Sequence, residues 1–259
     1  MSILYLKEVV YRKYIIFDLE FNQSSNKEDR IAQLPFEIIQ IGALKLDEDF
    51  KTISTFNELV KPTVYKNILP YIQDLTKITD EIVSSAKEFT NIYYDFMNFI
   101  GKEDITFIVW GIVDLTELYK NIIYFNLPTE NLPKHYIDLQ DYASKHFKVP
   151  GGKRIGLKNA LDFLNINISC EFHNAFNDAY YTAEVFKKLY TASIEPKVYT
   201  HTPIRIKSKP KKIVDYNALI LQIEKMYNKK LTRKEISMIK LAYNMGKTNQ
   251  FLINTDKNL

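Results

Sequence analysis

Tyr14-Ile15-Ile16-Phe17-Asp18-Leu19-Glu20-Phe21 (YIIFDLEF) is an apolar run of strand length interrupted by two acids. Side chains two apart on a strand point to the same face, so Asp18 and Glu20 are neighbours. Two carboxylates on one face of an apolar strand repel each other and are poorly hydrated. Burying them uncompensated costs on the order of several kcal/mol. A divalent cation resolves both problems, because Mg²⁺ favours oxygen ligands. An exposed strand end is the simpler account of a lone D-x-E, so the rest of the chain has to decide.

After a polar loop at 22–35, FEIIQIGALKL (36–46) and KTISTFNELV (51–60) flank a DEDF turn and read as a hairpin. Residues 61–79 look irregular, broken by Pro62 and Pro70, and Thr79-Asp80-Glu81 opens a short helix. Phe89 to Ile100 is helical in pattern and stops at Gly101. Thr106 to Trp110 (TFIVW) is a short buried strand, followed by a helix from Leu115 to Asn126. Tyr136 to Leu139 reads as a fifth strand leading into a helix through His146. Helical patterns return at 157–164 and 175–190. Strands first, then helices with late strands, predict an α/β fold: a mixed five-stranded sheet flanked by helices.

Of the 259 residues, 35 are Lys or Arg and 31 Asp or Glu, but the charge is unevenly spread. Residues 1–196 carry a net −6 and residues 197–259 a net +10. The acidic part is expected to form one sizeable domain (1–196). A proline-broken basic linker (197–212) and a small basic helical module (213–259) follow. In the module Thr232 and Glu235 have capping-box spacing, and Gly246 stands where a C-cap would. Lys209, Lys211 and Lys212 of the linker and Lys230 and Arg233 of the module are the candidate contacts to a polyanion. A protein partner or dimerisation through the module is the alternative. The single cysteine, Cys170, excludes an internal disulfide framework and suggests a reducing, cytoplasmic setting. No apolar run spans a bilayer, and the N-terminus has no secretory pattern. No GxGxxG or P-loop spacing is present.

Two further acidic positions stand out. Trp110-Gly111-Ile112-Val113-Asp114 places an acid just past a buried strand, where a helix N-cap is the simple explanation. His173-Asn174-Ala175-Phe176-Asn177-Asp178-Ala179 places Asp178 in the first turn of a helix, with His173 in the loop before it. Asp178 also suits the helix dipole, so it too has a structural account. His135, His146 and His201 have no acid or cysteine at ligand spacing and read as surface residues, and Cys170 as passive.

Taken in order, these motifs resemble the DEDDh family of 3′→5′ exonucleases, on a ribonuclease H-like fold, and are most similar to its KapD-like, enhanced-RNAi-exonuclease branch. The match extends to Glu37-Ile38-Ile39-Gln40-Ile41-Gly42-Ala43, Leu75-Thr76-Lys77-Ile78-Thr79 and Gly156-Leu157-Lys158-Asn159-Ala160-Leu161. The resemblance implies two divalent ions, Mg²⁺ or Mn²⁺. Asp18 would bridge them, with Glu20 and Asp178 completing one site and Asp114 supporting the other. His173 would be the general base. The implied substrate is the 3′ end of single-stranded RNA or DNA, hydrolysed to nucleoside 5′-monophosphates. Phe21 would pack against the terminal base or ribose, or else serve as a core aromatic. The sequence departs from the family at Asn22, where Thr is frequent, and at Lys77, where Gly is usual. Both positions bear on how the terminal nucleotide is gripped. A non-catalytic nucleic-acid-binding module and a proofreading subunit of a polymerase complex are the competing functions.

Overall fold

The computed structural model describes residues 12–26, 28–191, 194–201 and 214–247. In chain order its elements are β1 (Lys13–Asn22), β2 (Glu37–Leu46), β3 (Thr52–Lys61), α1 (Pro70–Thr76), α2 (Asp80–Ser84), β4 (Lys87–Glu88), α3 (Phe89–Ile100), β5 (Ile105–Val109), α4 (Val113–Tyr124), β6 (His135–Asp138), α5 (Leu139–His146), α6 (Leu157–Phe163), α7 (Ala175–Leu189), β7 (Lys197–Val198), α8 (Tyr216–Tyr227) and α9 (Arg233–Lys247).

β1 is apolar on both faces and therefore lies inside the sheet, covered twice. Its odd residues Ile15, Phe17 and Leu19 join Phe89, Ile92 and Phe96 of α3 in one core. Its even residues Tyr14 and Ile16 join Ala179, Ala183 and Phe186 of α7 in the other. Burying each such large apolar side chain contributes roughly 1.5–3 kcal/mol. The sheet order is β4-β3-β2-β1-β5-β6-β7. β1, β2 and β3 are antiparallel neighbours, whereas β5 and β6 run parallel to β1. The carboxyl ends of β1, β5 and β6 thus stand side by side.

The architecture is the expected α/β sheet flanked by helices, with seven strands instead of five. The two additions, β4 and β7, are two-residue edge strands too short to show a period. β7 also moves the domain boundary. Lys197 and Val198 pair with Tyr136 and His135, Tyr199 donates its N–H to the Lys134 carbonyl at 2.8 Å, and the first compact unit runs to Arg205. The expected linker start at 197 therefore lies inside the sheet. α1 falls in the stretch expected to be irregular. Pro70 is one of its first residues, where a missing N–H costs nothing.

Two buried polar side chains hold the loop that leads to α1. The Glu37 carboxylate accepts backbone N–H bonds from Thr63, Val64 and Tyr65 at 2.6, 3.0 and 2.6 Å. The Asn22 amide donates to the carbonyls of Tyr65 (2.6 Å) and Asn67 (3.0 Å) and accepts from the Leu69 N–H at 3.3 Å.

The second compact unit, from Ile206, contains α8 and α9. Asp215 caps α8 by accepting from the Ala218 N–H at 2.9 Å, and Asn228 ends it in a left-handed conformation. The capping box forms as the spacing predicts: Thr232 N–H donates to Glu235 at 2.8 Å, and Glu235 N–H donates back to the Thr232 hydroxyl at 3.3 Å. Gly246 lies within α9, not beyond it. None of the residues of α8 is buried.

Candidate active site

Asp18 and Glu20 lie on the β1 face that packs on α7. A register shift follows Glu20 and ends the regular ladder with β2 beside them. Across that ladder, Asp18 faces Gly42. A Cβ at Gly42 would overlap the Phe176 nitrogen and the Ala175 carbonyl, so glycine lets the first turn of α7 rest on the strand. Asn174 caps α7 by accepting from the N–H groups of Phe176 (3.1 Å) and Asn177 (3.3 Å). The Ala175 N–H is taken by the Gln40 side chain at 3.1 Å, and Gln40 is held by Asn57 at 2.9 Å. These contacts set Asp178, in the first turn, over the β1 acids.

His173 has a left-handed backbone (φ 63°) and turns the chain into α7. Its N–H donates to one Asp178 oxygen at 3.0 Å, and the other Asp178 oxygen is buried without a partner. The ligand atoms of Glu20, His173 and Asp178 lie within 4.8 Å of one another, a grouping that could hold a metal ion. Asp114 arrives from the opposite layer. The chain leaves β5, turns at Gly111 (φ 96°), and presents Asp114 in the first turn of α4. The N-cap is Ile112, so the capping account of Asp114 does not hold. The Leu19 backbone N–H favours the charged form of both the Asp18 and the Asp114 carboxylate, against burial.

Electrostatics ties the four acids together. Burial holds Asp18 well above the usual carboxylate range, and repulsion from Asp114, Asp178 and Glu20 adds to it. Burial, then Asp178 and Asp114, push Glu20 up to about 8. Asp114 is pushed up to about 7, chiefly by burial. Burial also raises Asp178, opposed by the His173 N–H and the His173 charge.

Other expected contacts fall out differently. Asn22 has no exposed surface, and its amide is spent on the 65–69 loop, so it cannot touch a ligand. Phe21 is partly buried against the core, 5.9 Å from the Phe36 ring, which Arg30 covers from 5.3 Å. Lys77 is exposed and closes α1 in a left-handed conformation (φ 61°), which explains a preference for glycine there. With Gln40, Asn57, Thr76, Ile78 and Asn174 it lines a groove of about 650 Å³ that shares Gln40 and Asn174 with the α7 cap. Lys230 pairs with Glu224 at 2.7 Å, and Arg233 starts α9. Lys209, Lys211 and Lys212 lie outside the described residues. His201 is not a plain surface residue, for its ring stacks on Tyr119 at 6.0 Å.

Sequence reasoning missed Gln40 and Glu117. Gln40 was legible only as part of the EIIQIGA motif. Glu117 is buried one turn after Asp114, adds to its repulsion, and has one oxygen on Lys120 at 2.5 Å and the other unpartnered. Its signal was the i,i+3 spacing from Asp114.

This end of the sheet thus gathers four acids and a histidine. Residues 15–186 match the Exonuclease (RNase_T) family, and the chain belongs to that family. It is 28% identical over 184 residues to a DNA polymerase III PolC-type protein of Clostridium perfringens. That match covers 68% of this chain but only 11% of the polymerase, so the chain spans about a tenth of its curated relative. Among solved structures it is similar to the nuclease domain of 3′hExo, a DEDDh family member bound to rAMP. The TM-score is 0.64 at 18% identity, covering 75% of this chain and 99% of that one. It is also similar to cell-death related nuclease 4 (TM-score 0.59, 19% identity, 69% and 64% covered). These likenesses show the ribonuclease H-like fold. Among the described residues, no helix is long and apolar enough to cross a membrane.

Proposed function

We propose that this chain is a divalent-metal-dependent 3′→5′ exonuclease that releases nucleoside 5′-monophosphates from single-stranded RNA or DNA. The observation that carries this reading is the convergence of Asp18, Glu20, Asp114 and Asp178, each raised by burial, with His173 beside Glu20 and Asp178. An all-carboxylate set with an unpartnered Asp178 oxygen fits a hard cation such as Mg²⁺ or Mn²⁺. Asp18, Glu20 and Asp178 would hold one ion, and Asp18 with Asp114 a second. Bound there, such ions supply Lewis-acid stabilisation of the charge that develops around phosphorus.

The chain's own residues do the rest. His173 accepts the proton of the attacking water. Gln40, Asn174 and Gly42 fix α7, and with it Asp178 and His173, against β1. The groove beside Lys77 receives the 3′-terminal nucleotide.

The test is digestion of matched labelled RNA and DNA strands, with 3′ ends free or blocked, in Mg²⁺, Mn²⁺ or chelator. Stepwise loss of mononucleotides from free 3′ ends, abolished by chelator, is expected. Absence of products, or equal digestion of blocked strands, would overturn the reading. A non-catalytic binding module is disfavoured, since clustered acids repel phosphate and serve such a module no purpose. The match to a polymerase favours a proofreading role as the second reading. Co-purification with a polymerase subunit would support it.

A further inference from the structure

We propose that residues 148–158, the loop between α5 and α6 together with the first two residues of α6, form the track that holds the phosphates of the substrate strand upstream of the bond being cut. This rests on the nuclease reading above. The loop reads KVPGGKRIGLK, and between residues 148 and 161 it contributes Lys148, Lys153, Arg154 and Lys158 with no acid. It stands out in a body whose net charge is negative.

Its place is fixed by the sheet. Across β1, β5 and β6 the register pairs Ile16 with Ile108 and Val109 with Asp138, so Asp18, the turn at Gly111 just past β5, and Asp138 follow one another across the sheet. Arg154 forms an ion pair with Asp138, at the end of β6. Gln140 of α5 donates to the Ile155 carbonyl at 3.0 Å, and the Ile155 N–H donates to the Ser144 hydroxyl at 3.0 Å. At the other end of the loop, the Val149 N–H donates to the Ser144 carbonyl at 3.0 Å. A Cβ on Gly111 would lie 2.9 Å from Gln140 Oε1 and 3.8 Å from an Arg154 guanidinium nitrogen. The loop is therefore tied to α5 at both ends and abuts the turn that delivers Asp114.

Arg154 is committed to Asp138 and acts as a positioning residue. Lys148, Lys153 and Lys158 are exposed and form no ion pair among the described residues. The tip between them, Gly151 and Gly152, is open, with nothing within 4 Å of a Cβ at either position. Strands in a sheet are about 4.8 Å apart, and Asp138 pairs with Val109, one position past the Ile108–Ile16 pair, so the end of β6 lies roughly 10 Å across the sheet from the Phe17–Asp18 stretch of β1. A strand whose last phosphodiester sits at Asp18 and which crosses the end of β5 reaches these lysines within its first upstream nucleotides. The acid cluster repels a polyanion, and fixed cations at this distance offset that repulsion. Ammonium groups act as point charges on phosphate, so the track holds RNA and DNA without reading bases.

The test combines Lys148→Glu, Lys153→Glu and Lys158→Glu in the full chain. KM in Mg²⁺ is measured for a long single strand and for a dinucleotide. The salt dependence of long-strand binding is measured in an Asp18→Asn background, where turnover does not interfere. The proposal expects the ratio of long-strand to dinucleotide KM to rise about tenfold. It also expects the salt slope to fall by about 2, at roughly 0.7 per lost phosphate contact. An unchanged ratio and slope would overturn it, as would weakened binding to an acidic protein segment with strand binding intact. Were the wild type inactive on both substrates, the nuclease reading would fall, and the binding arm would still decide the role of the loop. If charge reversal unfolds the chain, as circular dichroism would show, the three Lys→Gln changes replace it with the same expected direction.

Discussion

Gly42 stands directly across the β1–β2 ladder from Asp18, and the first turn of α7 rests on its bare Cα. The acid on one strand and the absence of a side chain on the next are two halves of one device. It brings a helix bearing Asp178 down onto a strand bearing Asp18.

Gly42→Ala should therefore lift α7 away from β1. Overpacking of this kind costs about 1–3 kcal/mol, read as a lower denaturant midpoint. Displacement of Asp178 should cost about a hundredfold in kcat. A variant with wild-type stability and turnover would show that α7 can be accommodated otherwise.

Asp18→Asn should abolish hydrolysis while leaving the fold intact. Asp18 is the acid most burdened by its neighbours' charges, so its neutralisation should leave metal-free thermal stability unchanged or higher. Retained Mg²⁺-dependent cleavage by the purified variant would refute the assignment.

Stability without metal should fall as pH rises through neutrality. Glu20 and Asp114 keep their protons in the folded chain up to about 8 and about 7. In the unfolded chain they release them near about 4. Between these limits the folded state binds more protons, so raising the pH favours unfolding. The metal-free melting temperature should be higher near about pH 5 than near about pH 8, and added Mg²⁺ should raise it more at the higher pH. A flat profile with no pH-dependent response to Mg²⁺ would contradict the coupling of these acids.

His173→Asn should slow turnover about 10²–10⁴-fold with little change in KM. Asparagine is the suitable replacement because it tolerates the left-handed backbone that position 173 requires. Equal turnover in variant and wild type would make His173 a turn residue only.

Removal of residues 206–259 should reduce affinity for long strands and its salt dependence, with turnover on dinucleotides retained. The cut belongs after Arg205, since 197–198 form an edge strand. Unchanged strand affinity would point to a protein partner or self-association for the module. Two of its basic residues, Lys229 and Lys230, are already paired with Glu235 and Glu224.

Much of the frame was legible because period and punctuation agree with it. β1 shows two-residue alternation of core faces, and Phe89 to Ile100 is a helix at the expected residues. The acids were legible as an ordered set, since strand spacing places Asp18 with Glu20 and helix onset places Asp178. What was hidden depends on contacts between distant segments. Pro70 reads as a breaker until its place in the first turn of α1 is known, and β7 is two residues inside a proline-rich stretch. Asp114 looks like a cap until Ile112 takes that place. Asn22 looks like a ligand contact because burial by a loop more than forty residues away leaves no local mark.

That same grip on the loop gives the chain an unusual map of amide exchange. The N–H groups of Thr63, Val64 and Tyr65 belong to no helix or sheet, yet each ends on the buried Glu37 carboxylate. Their protons should exchange with deuterated solvent as slowly as those of a core strand, because releasing them exposes Glu37 and unseats β2. The segment that carries α1, and the wall of the groove it forms, is thus coupled to cooperative unfolding of the sheet. It is a rigid wall instead of a moving flap.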